Sequence, residues 1–590
     1  MKRALALILA LVMTMALVAC GGDKPTSSAP SNPTQSSKPT EPSKPADPAK
    51  PTEPTLTKAE QLKKDNADKY GGEINQVATG AAPTMDIHSS NAGSLYVCRP
   101  LNHVYEGIAT IDANGKYYPM IMDFEQSADG CTITFTMKER YFSNGEKITI
   151  EDVEASFRRY VGMHYTTQSG YDKIFKGTTF KVEGDKLIFQ TESYNINLLS
   201  TLASGQGCFR VMPKEICEKW APDWTSGNKD ESNGLIWGCL TVNEINDVKD
   251  LIGSGPYCVE EWDGDTKMVF VRNENYEIIA EGNEDAIGLA APRMAYIDKI
   301  NYIVNPDTSS QTAATLAGEY DIGAVQSAMW DTALSMGLKR WDAGTSWTHG
   351  IFFNLHESNA DSPVADVNVR KAIRAIIDPQ AILMAVAGII DRVVLDPYPV
   401  KKDMVDYAST LIEENDYNLK SVDKAKEYLA KSSYNGEPIV YLCHASGNFY
   451  KATMAAIPML ESIGLKVELM AVDNGSHTAM RKDPKTGHDI GCWEVQKNEI
   501  NPVLHSTFVT GSQGWWASAA KDDAIKRMQS TPTGSPESVK AYNDYLQAVV
   551  DEVPYILFGH LVGYTWSNDN VVIDSVGQTT YWWNNYLLKK

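Results

Sequence analysis

A compositionally biased tract near the N-terminus limits which part of this chain can fold. From Gly21 to Thr57 almost every residue is Pro, Ser, Thr, Lys, Ala or Glu. Such a tract buries too little apolar surface to offset the conformational entropy lost on folding, so it predicts a disordered tether at residues 21–57. The whole chain has 590 residues, and the part that follows the tether is long enough for two or three domains.

The segment before the tether indicates where the protein works. The first three residues, MKR, are basic, and residues 4–19 form an apolar run that ends at Cys20. This run is shorter than the ~20 residues that span a bilayer, so residues 1–20 are predicted to be a signal peptide. The small residue before Cys20 matches a bacterial lipobox, which predicts lipidation of Cys20 and anchoring on the outer face of the cell membrane. An ordinary secretion signal is the alternative.

Charge and cysteine content narrow the class of protein further. The formal net charge is −21, which argues against a nucleic-acid partner because polyanions are bound by basic surfaces. Eight cysteines remain besides Cys20, and in an exported protein they permit disulfides. One interpretation is a bridge from Cys208 to Cys217 or Cys239, and the other is that all the thiols are unpaired. The eight are Cys98, Cys131, Cys208, Cys217, Cys239, Cys258, Cys443 and Cys492.

The first half of the body, from Gly71 on, shows strand and helix signals. Residues 131–137 alternate between polar and apolar side chains, which predicts a half-buried strand. Thr149 with Asp152 three places later predicts a capped helix start. Residues 257–271 predict a hairpin whose turn is Asp263-Gly264.

The later half alternates helices with strands. Asp366 precedes an amphipathic pattern that predicts a helix stopped by Pro379. A buried strand at 439–442, a helix at 452–463 and a strand at 466–470 follow. This alternation predicts an α/β domain.

Several short segments, taken in order, resemble the signature of a known family. The run TITFTMKERYFSNGEKITIEDVEASF at 132–157, the segment GSGPY at 253–257 and the segment DVNVRKA at 366–372 carry most of the resemblance. They are similar to extracellular solute-binding proteins of the oligopeptide and dipeptide class, family 5, which are the capture subunits of ABC importers. Further matching segments are 105–108, 112–115, 297–300, 317–322 and 353–354.

The resemblance implies an α/β fold with two lobes, a type II clamshell of the periplasmic-binding-protein kind with an extra subdomain. Ligand would lie between the lobes and be enclosed when they close about a hinge. The implied partners are a small-molecule or oligopeptide ligand and the ABC permease and ATPase subunits, and the protein is predicted to be a monomer without a cofactor. The implied boundaries are 71–107, 251–350 and 561–590 for lobe I, 108–250 for the extra subdomain, and 351–560 for lobe II.

The resemblance also implies where the ligand is held, and one position departs from the family pattern. Members that bind peptides carry an aspartate four residues before a proline, here Pro502, and this chain has Asn498 there. A buried ammonium without a paired carboxylate costs several kcal/mol, so peptide binding would need Glu499 or Glu494 as a substitute. Otherwise the ligand has no free amine, and an oligosaccharide or another non-peptide solute fits.

Aromatic and backbone groups complete the implied site. Trp493, Trp515 and Trp516 lie in the segment that faces ligand, although Trp515 and Trp516 could also fill the lobe core. Trp347 and His349 are placed just before a hinge crossing at 352–354, and His349 could equally be a satisfied core or surface group. The loop expected to offer backbone groups from the other lobe contains Asn91, Gly93, Ser94 and Leu95.

Catalytic signatures are absent from the sequence. There is no Gly-x-Ser-x-Gly elbow and no His-Glu-x-x-His zinc motif. Glu494 and Glu499 could imitate a glycosidase pair, but five residues apart in a loop gives no reason for them to converge. The sequence therefore predicts a binding protein without catalytic residues or metal, and a sensor or chaperone lipoprotein of the same fold stays an alternative to the importer subunit.

Overall fold

The computed structural model describes residues 56–112, 115–203, 209–344, 347–400, 404, 407–496, 514–574 and 581–589. The predicted signal peptide, nearly all of the predicted tether, Cys20 and Cys208 lie outside these residues. So do Asn498 and Glu499, two of the positions predicted to contact ligand.

The described residues form β-strands and α-helices along the whole body. The strands are β1 (Glu73–Ala78), β2 (Ala109–Ile111), β3 (Tyr117–Pro119), β4 (Met122–Gln126), β5 (Thr132–Met137), β6 (Thr178–Glu183), β7 (Lys186–Thr191), β8 (Asn228–Lys229), β9 (Ile236–Trp237), β10 (Tyr257–Asp263), β11 (Lys267–Arg272), β12 (Lys299–Val304), β13 (Ile322–Gly323), β14 (Lys339–Gly344), β15 (Trp347–Phe353), β16 (Val393–Leu395), β17 (Pro438–His444), β18 (Lys466–Val472), β19 (Ile490–Gln496), β20 (Tyr555–Leu561), β21 (Gly563–Ser567), β22 (Val571–Val572) and β23 (Tyr586–Leu587). The helices are α1 (Lys58–Asp65), α2 (Leu95–Leu101), α3 (Ile150–His164), α4 (Gln168–Ile174), α5 (Ile196–Ala203), α6 (Lys214–Lys219), α7 (Thr308–Ala317), α8 (Trp330–Ser335), α9 (Val367–Ile376), α10 (Pro379–Ala387), α11 (Val422–Leu429), α12 (Gly447–Ser462), α13 (Asn474–Met480), α14 (Ala519–Gln529) and α15 (Pro536–Glu552).

One large sheet has seven strands in the order β10-β11-β12-β1-β13-β21-β14. Strands β12, β1 and β13 are parallel. Strand β21 is antiparallel to both β13 and β14, so β14 runs in the same direction as β1. Ile74, Phe270 and Ile300 from these strands pack with Trp582 of the C-terminal segment in one core.

The second large sheet has six strands in the order β16-β20-β15-β19-β17-β18. Strands β17, β18 and β19 are parallel, and β15 is antiparallel to β19 and β20. Ile373 of α9, Ile382 of α10 and Leu460 of α12 pack with this sheet in one core. Tyr542 and Leu546 of α15 belong to a separate core that includes Phe352 and Leu557 of the same sheet. Helices on both sides bury both faces, as in other α/β sheets.

Two chain crossings connect the large sheets. Strand β14 ends at Gly344 and β15 begins at Trp347, while only Val562 separates β20 from β21. The predicted crossing at 352–354 and the predicted start of lobe II at 351 both lie inside the second sheet, which already begins at Trp347. The apolar run that marks this strand starts only at Ile351, so the polar and small residues before it gave no strand signal.

The extra subdomain forms a four-stranded antiparallel sheet, β4-β5-β7-β6. Phe135, Phe157 and Phe189 pack in its core, with Phe157 in edge-to-face contact with Phe189 at 5.3 Å. A buried ion pair joins this subdomain to the loop after β1: Arg159 of α3 donates from Nη1 to Asp86 Oδ1 at 2.9 Å.

Most local predictions from the sequence are confirmed. Strand β5, the hairpin β10–β11 and strands β17 and β18 lie where they were predicted. Thr149 and Asp152 form a full capping box at α3, and Asp366 caps α9, which ends before Pro379. The body begins earlier than Gly71, because Thr57 at the predicted end of the tether caps α1.

The cysteines and the helices bear on two further predictions. Cys217 and Cys239 are both free thiols, so neither forms the predicted bridge to Cys208. The structure thus matches the other interpretation, unpaired thiols, for six of the cysteines that it describes: Cys131, Cys217, Cys239, Cys258, Cys443 and Cys492. Within the described part of the chain, none of the helices combines the length and apolar character needed to cross a membrane.

Candidate functional site

The candidate site follows from the direction of the strands in the two large sheets. In the first sheet β1, β12, β13 and β14 run together, and β14 ends at a crossing. In the second sheet β17, β18 and β19 end at the same edge from which both crossings leave. In α/β sheets ligands bind outside the carboxyl ends of the strands. The two carboxyl edges are therefore the candidate walls of a binding cleft.

His349 and Glu494 form a pair at the edge of the second sheet. They are directly opposite in the β15–β19 register, and His349 Nε2 donates to Glu494 Oε1 at 2.8 Å. The imidazole is only 2% exposed, whereas 30% of the Glu494 side chain is exposed. Glu494 therefore presents a carboxylate to solvent that is already hydrogen-bonded from behind. Trp347 lies two positions before His349 on the same strand. It is 47% exposed at the same edge of the sheet.

A cluster of rings continues this edge across the ends of β17 and β18. His444 ends β17, Phe449 lies in the first turn of α12 and His477 lies in α13. The rings of His444 and His477 are 4.2 Å apart, and Phe449 is 4.8 Å from His444. His349 is 6.3 Å from Phe449, so the rings form a continuous row. We call the set His349, His444, Phe449, His477, Trp493 and Glu494 the lobe II edge cluster.

Trp493 forms the buried floor of the lobe II edge cluster. Its indole is 0% exposed and stacks on Phe352, with ring centres 4.6 Å apart and planes 7° apart. His477 is 6.3 Å away on the other side. Trp493 is thus placed next to the predicted ligand groups, but as a support for them rather than as an exposed stacking surface.

Three ring nitrogens of the lobe II edge cluster are buried without hydrogen-bond partners in the described part of the chain: His349 Nδ1, His477 Nε2 and Trp493 Nε1. An unpaired buried polar group costs about 1–3 kcal/mol, and such groups concentrate where a ligand or water supplies the partner. The edge therefore gives up stability in a way that a bound polar ligand would offset.

One positively charged side chain, that of Arg481, lies beside these rings. Arg481 lies one helical turn after His477, and its Nε is buried without a partner among the described residues. Burial, together with nearby His444 and Arg481, lowers the pKa of His477 to about 4. Burial and then Arg481 also lower the pKa of His444. At neutral pH the two imidazoles are neutral, and Arg481 carries the charge of this corner.

The facing wall is the loop that leaves the carboxyl end of β1. It contains a 3₁₀ turn at Ser90–Gly93 and leads into α2 at Leu95. Asn91 is exposed, whereas Ser94 and Leu95 are half-buried. All four predicted positions of this wall, Asn91, Gly93, Ser94 and Leu95, are therefore adjacent at one carboxyl edge.

The sequence of this chain matches that of a known family over most of its length. Residues 116–534 match the bacterial extracellular solute-binding proteins, family 5, middle part. The chain belongs to this family. The resemblance seen in the sequence and the predicted α/β, two-lobed fold class are thereby confirmed.

Individual relatives of this solute-binding protein are distant. The probable peptide ABC transporter periplasmic-binding protein y4tO of Sinorhizobium fredii is 21% identical over 452 residues, 71% of this chain and 76% of the relative. The nickel-binding periplasmic protein of Escherichia coli is 23% identical over 425 residues, 65% of this chain and 68% of the relative. Among solved structures, the substrate-binding protein CtaP of Listeria monocytogenes matches with a TM-score of 0.69 at 15% identity, covering 88% of this chain and 100% of CtaP.

Trp515 and Trp516 lie at the other end of the second sheet. The Trp515 ring is 6.1 Å from His488, which precedes β19, and 6.2 Å from His356, which follows β15. Strand β15 ends at Phe353, four strand positions or about 13 Å from His349, and His356 lies three residues further along the chain. Trp516 is 5% exposed and its Nε1 donates to Glu552 at 2.6 Å. The structure therefore does not bring these two tryptophans to the lobe II edge cluster, and Trp516 matches the core alternative.

Four residues of this wall were missed from the sequence: His444, Phe449, His477 and Arg481. The predicted strand ends at 442 and the predicted helix begins at 452, so the prediction assigns no role to the residues between them. The available signal was a polar or aromatic residue directly after each parallel strand, where α/β proteins place their binding groups.

No set of three His, Cys, Asp or Glu side chains in the described ranges is arranged to hold a metal ion.

Proposed function

We propose that this family 5 protein is the capture subunit of an ABC importer and that it encloses a peptide or peptide-like solute between the two carboxyl edges. The observation that carries the proposal is the pairing of these edges by two chain crossings, with the Asn91–Leu95 loop on one side and the lobe II edge cluster on the other. Two lobes joined by short crossings can close on a solute, and the closed form is favoured by the contacts that ligand makes with both.

A peptide fits the polar groups of the second wall. Its carboxylate would lie against Arg481 and the His477 ring, which together offer a charge and an unpaired donor. The backbone carbonyls of the peptide would accept hydrogen bonds from other donors along this edge of the second sheet. Its α-ammonium would approach the exposed oxygen of Glu494. The residues therefore perform no covalent step; they bind, orient and exclude water.

A non-peptide solute is the second candidate. Glu494 is already the acceptor for His349 at 2.8 Å, so an ammonium group would share an engaged carboxylate. A sugar ring whose C–H face stacks on Trp347 or Phe449 has only neutral hydroxyl groups and would avoid that competition. An oligosaccharide or another solute without an amine is what this arrangement would favour.

The experiment that separates these candidates identifies what the native protein holds. Protein purified without denaturation is analysed by native mass spectrometry, and its bound mass is compared with that released by acid. We then titrate ligand-stripped protein by calorimetry with a library of di- to hexapeptides and with a set of oligosaccharides. Peptide binding supports the first candidate, oligosaccharide binding the second, and turnover of either set into product would contradict a pure binding role.

Arg481 provides a residue-level test of the peptide proposal. Arg481→Gln is expected to weaken binding of peptides with a free carboxylate by about tenfold or more, since a hydrogen bond to a charged group contributes about 1.5–3 kcal/mol. The same peptides with an amidated C-terminus should lose little. Lys482→Gln, which removes an exposed charge at the next position, is the matched control and should leave both affinities unchanged.

We also propose that lipid on Cys20 holds the protein on the outer face of the membrane, where it would meet a permease. The support is the lipobox at the end of the apolar run. Cys20→Ala should move the protein from the membrane fraction to the soluble fraction, and it should abolish labelling by a radioactive fatty acid. Retention of both properties would contradict the proposal.

A further inference from the structure

The loop that forms the lobe I wall is held by a carboxylate from outside the loop. Glu244 lies in the segment that leads out of the extra subdomain, and both of its carboxylate oxygens accept hydrogen bonds from the loop. Thr84 Oγ1 donates to Oε2 at 2.6 Å, and Ser89 Oγ donates to Oε1 at 2.6 Å. One carboxylate therefore bridges two loop positions that are five residues apart.

Each of the two hydroxyls also accepts a hydrogen bond from a backbone N–H of the loop. Ser89 Oγ accepts from the Asn91 N–H at 3.1 Å and so caps the Ser90–Gly93 turn. Thr84 Oγ1 accepts from the Asp86 N–H at 3.0 Å. Ser89 is 1% exposed and Thr84 is 7% exposed. Hydrogen bonds in such chains strengthen one another, because a hydroxyl that donates to a carboxylate becomes a better acceptor.

The residue next to Glu244 reinforces the same contact. The Ile245 N–H donates to Asp86 Oδ2 at 2.9 Å, and the His88 N–H donates to Asp86 Oδ1 at 2.9 Å. Arg159 of the subdomain also donates to Asp86 and, from Nη2, to the Asn243 carbonyl at 3.3 Å. The subdomain thus holds both the turn and the segment that carries Glu244.

We infer that Glu244 is a positioning residue that sets the shape of the ligand loop, and that this is a function of the extra subdomain in this protein. The inference rests on the proposed binding role of the Asn91–Leu95 loop. Ser89 places the Asn91 amide, and that amide begins the turn whose exposed face is one wall of the cleft. Without Glu244 the Ser89 hydroxyl would lose its acceptor and be free to rotate away from the turn.

The surroundings of Glu244 separate a positioning role from a merely structural one. A groove of about 720 Å³ runs beside it, lined by Ala82–Met85 on one side and Val242–Asn246 on the other. Truncating Glu244 therefore enlarges a space that water already reaches and leaves no sealed cavity. Overall stability should change little while the loop loses its support.

The first test measures the loop without any ligand. In Glu244→Ala, amide hydrogen exchange in fragments covering residues 84–95 should be at least about tenfold faster than in the unmodified protein, because two hydrogen bonds to a charged group are lost and the loss of one alone has an effect of that size. Exchange in β1 and in α3 should not change. Glu183→Ala, which removes an exposed carboxylate of the same subdomain paired only with Lys181, is the control and should leave residues 84–95 unchanged.

The second test asks whether Glu244 acts through Ser89. In a Ser89→Ala background, Glu244→Ala should add clearly less than tenfold to exchange in this loop, because the contact is already broken. Glu244→Gln should give an intermediate rate, since its amide oxygen can still accept one of the two hydroxyls. Unchanged exchange in Glu244→Ala, equal acceleration across the whole of lobe I, or a full additional effect in the Ser89→Ala background would each overturn the inference.

Binding supplies the last readout. With the peptide library of the calorimetry experiment, Glu244→Ala should weaken affinity about tenfold with a change in the unfolding temperature of less than about 2 °C. Unchanged affinity would overturn the positioning role. If the unmodified protein binds no peptide, the proposed ligand class fails, whereas the exchange experiment still decides whether Glu244 holds the loop.

Discussion

The two proposed walls of the cleft differ in how their polar groups are paired. The lobe I wall is a loop whose charged groups are buried and paired, with Asp86 bonded to Arg159 and both Glu244 oxygens bonded to hydroxyls. The lobe II wall is a row of rings, three of whose nitrogens lack hydrogen-bond partners within the described part of the chain. Paired charges fix the shape of a loop, whereas unpaired polar atoms are available to a ligand. One wall is therefore suited to hold a geometry and the other to supply binding groups.

The largest expected effect comes from breaking the charge pair behind the first wall. Arg159→Met should lower the free energy of unfolding by about 3–5 kcal/mol, because it leaves the Asp86 carboxylate buried without its cation. Burial alone would raise the pKa of Asp86, but Arg159 outweighs it and the pKa lies below its ordinary value. Urea denaturation followed by circular dichroism measures the change.

The neighbouring arginine is the control for this effect. Arg158 pairs with Glu154 one turn earlier, and its side chain is 41% exposed. Arg158→Met should cost no more than about 1 kcal/mol, as is usual for surface pairs. Similar losses in both variants would mean that the Asp86–Arg159 pair does not anchor the wall.

A smaller effect should appear with pH, through the histidines of lobe I. His103 is buried, its Nδ1–H donates to the Arg99 carbonyl and its Nε2 accepts from the Trp582 N–H at 2.8 Å. Burial lowers its pKa to about 3. Below pH 6.5 the His103 imidazole is protonated in the unfolded chain but stays neutral in the folded protein. The free energy of unfolding therefore falls as the pH drops from 6.5 towards 3.

The size of this effect can be isolated with one variant. Between pH 7 and pH 5 a histidine of this kind should remove about 2 kcal/mol from the free energy of unfolding. His103→Gln should be less stable at pH 7 but lose about 2 kcal/mol less on going to pH 5. His356→Gln, at a partly exposed position, should keep the pH dependence of the unmodified protein. An unaltered slope in His103→Gln would contradict the prediction.

The contrast between the walls also explains what the sequence could foretell. Strand β5 and helices α3 and α9 were predictable because their signals are local, an alternating pattern or a capping residue at a fixed spacing. The pairing of His349 with Glu494 was not, because it depends on the register of β15 against β19, strands whose facing residues are 145 positions apart in the chain. Register is set by tertiary packing, which no local pattern records.

The same reasoning accounts for the tryptophans. The family resemblance implied that Trp493, Trp515 and Trp516 all lie in the segment that faces ligand. Trp493 is the middle residue of strand β19, whereas Trp515 packs by His488 before the strand starts. The sequence identified residue types that suit a binding wall. The path of the chain decides which edge of the sheet each of these side chains reaches.

The smallest expected effect tests whether Glu494 belongs to the ligand or only to His349. Glu494→Gln keeps a hydrogen-bond acceptor for the buried imidazole, so the free energy of unfolding should fall by about 1 kcal/mol or less. A peptide with a free N-terminal amine should nevertheless bind more weakly, whereas its N-acetylated form should bind as before, because only the amine needs the negative charge. His349→Gln removes the imidazole but keeps the carboxylate, and therefore serves as the matched control. If both peptides respond alike to Glu494→Gln, the carboxylate acts only through His349, and the second wall takes its ligand by the ring donors and Arg481 alone.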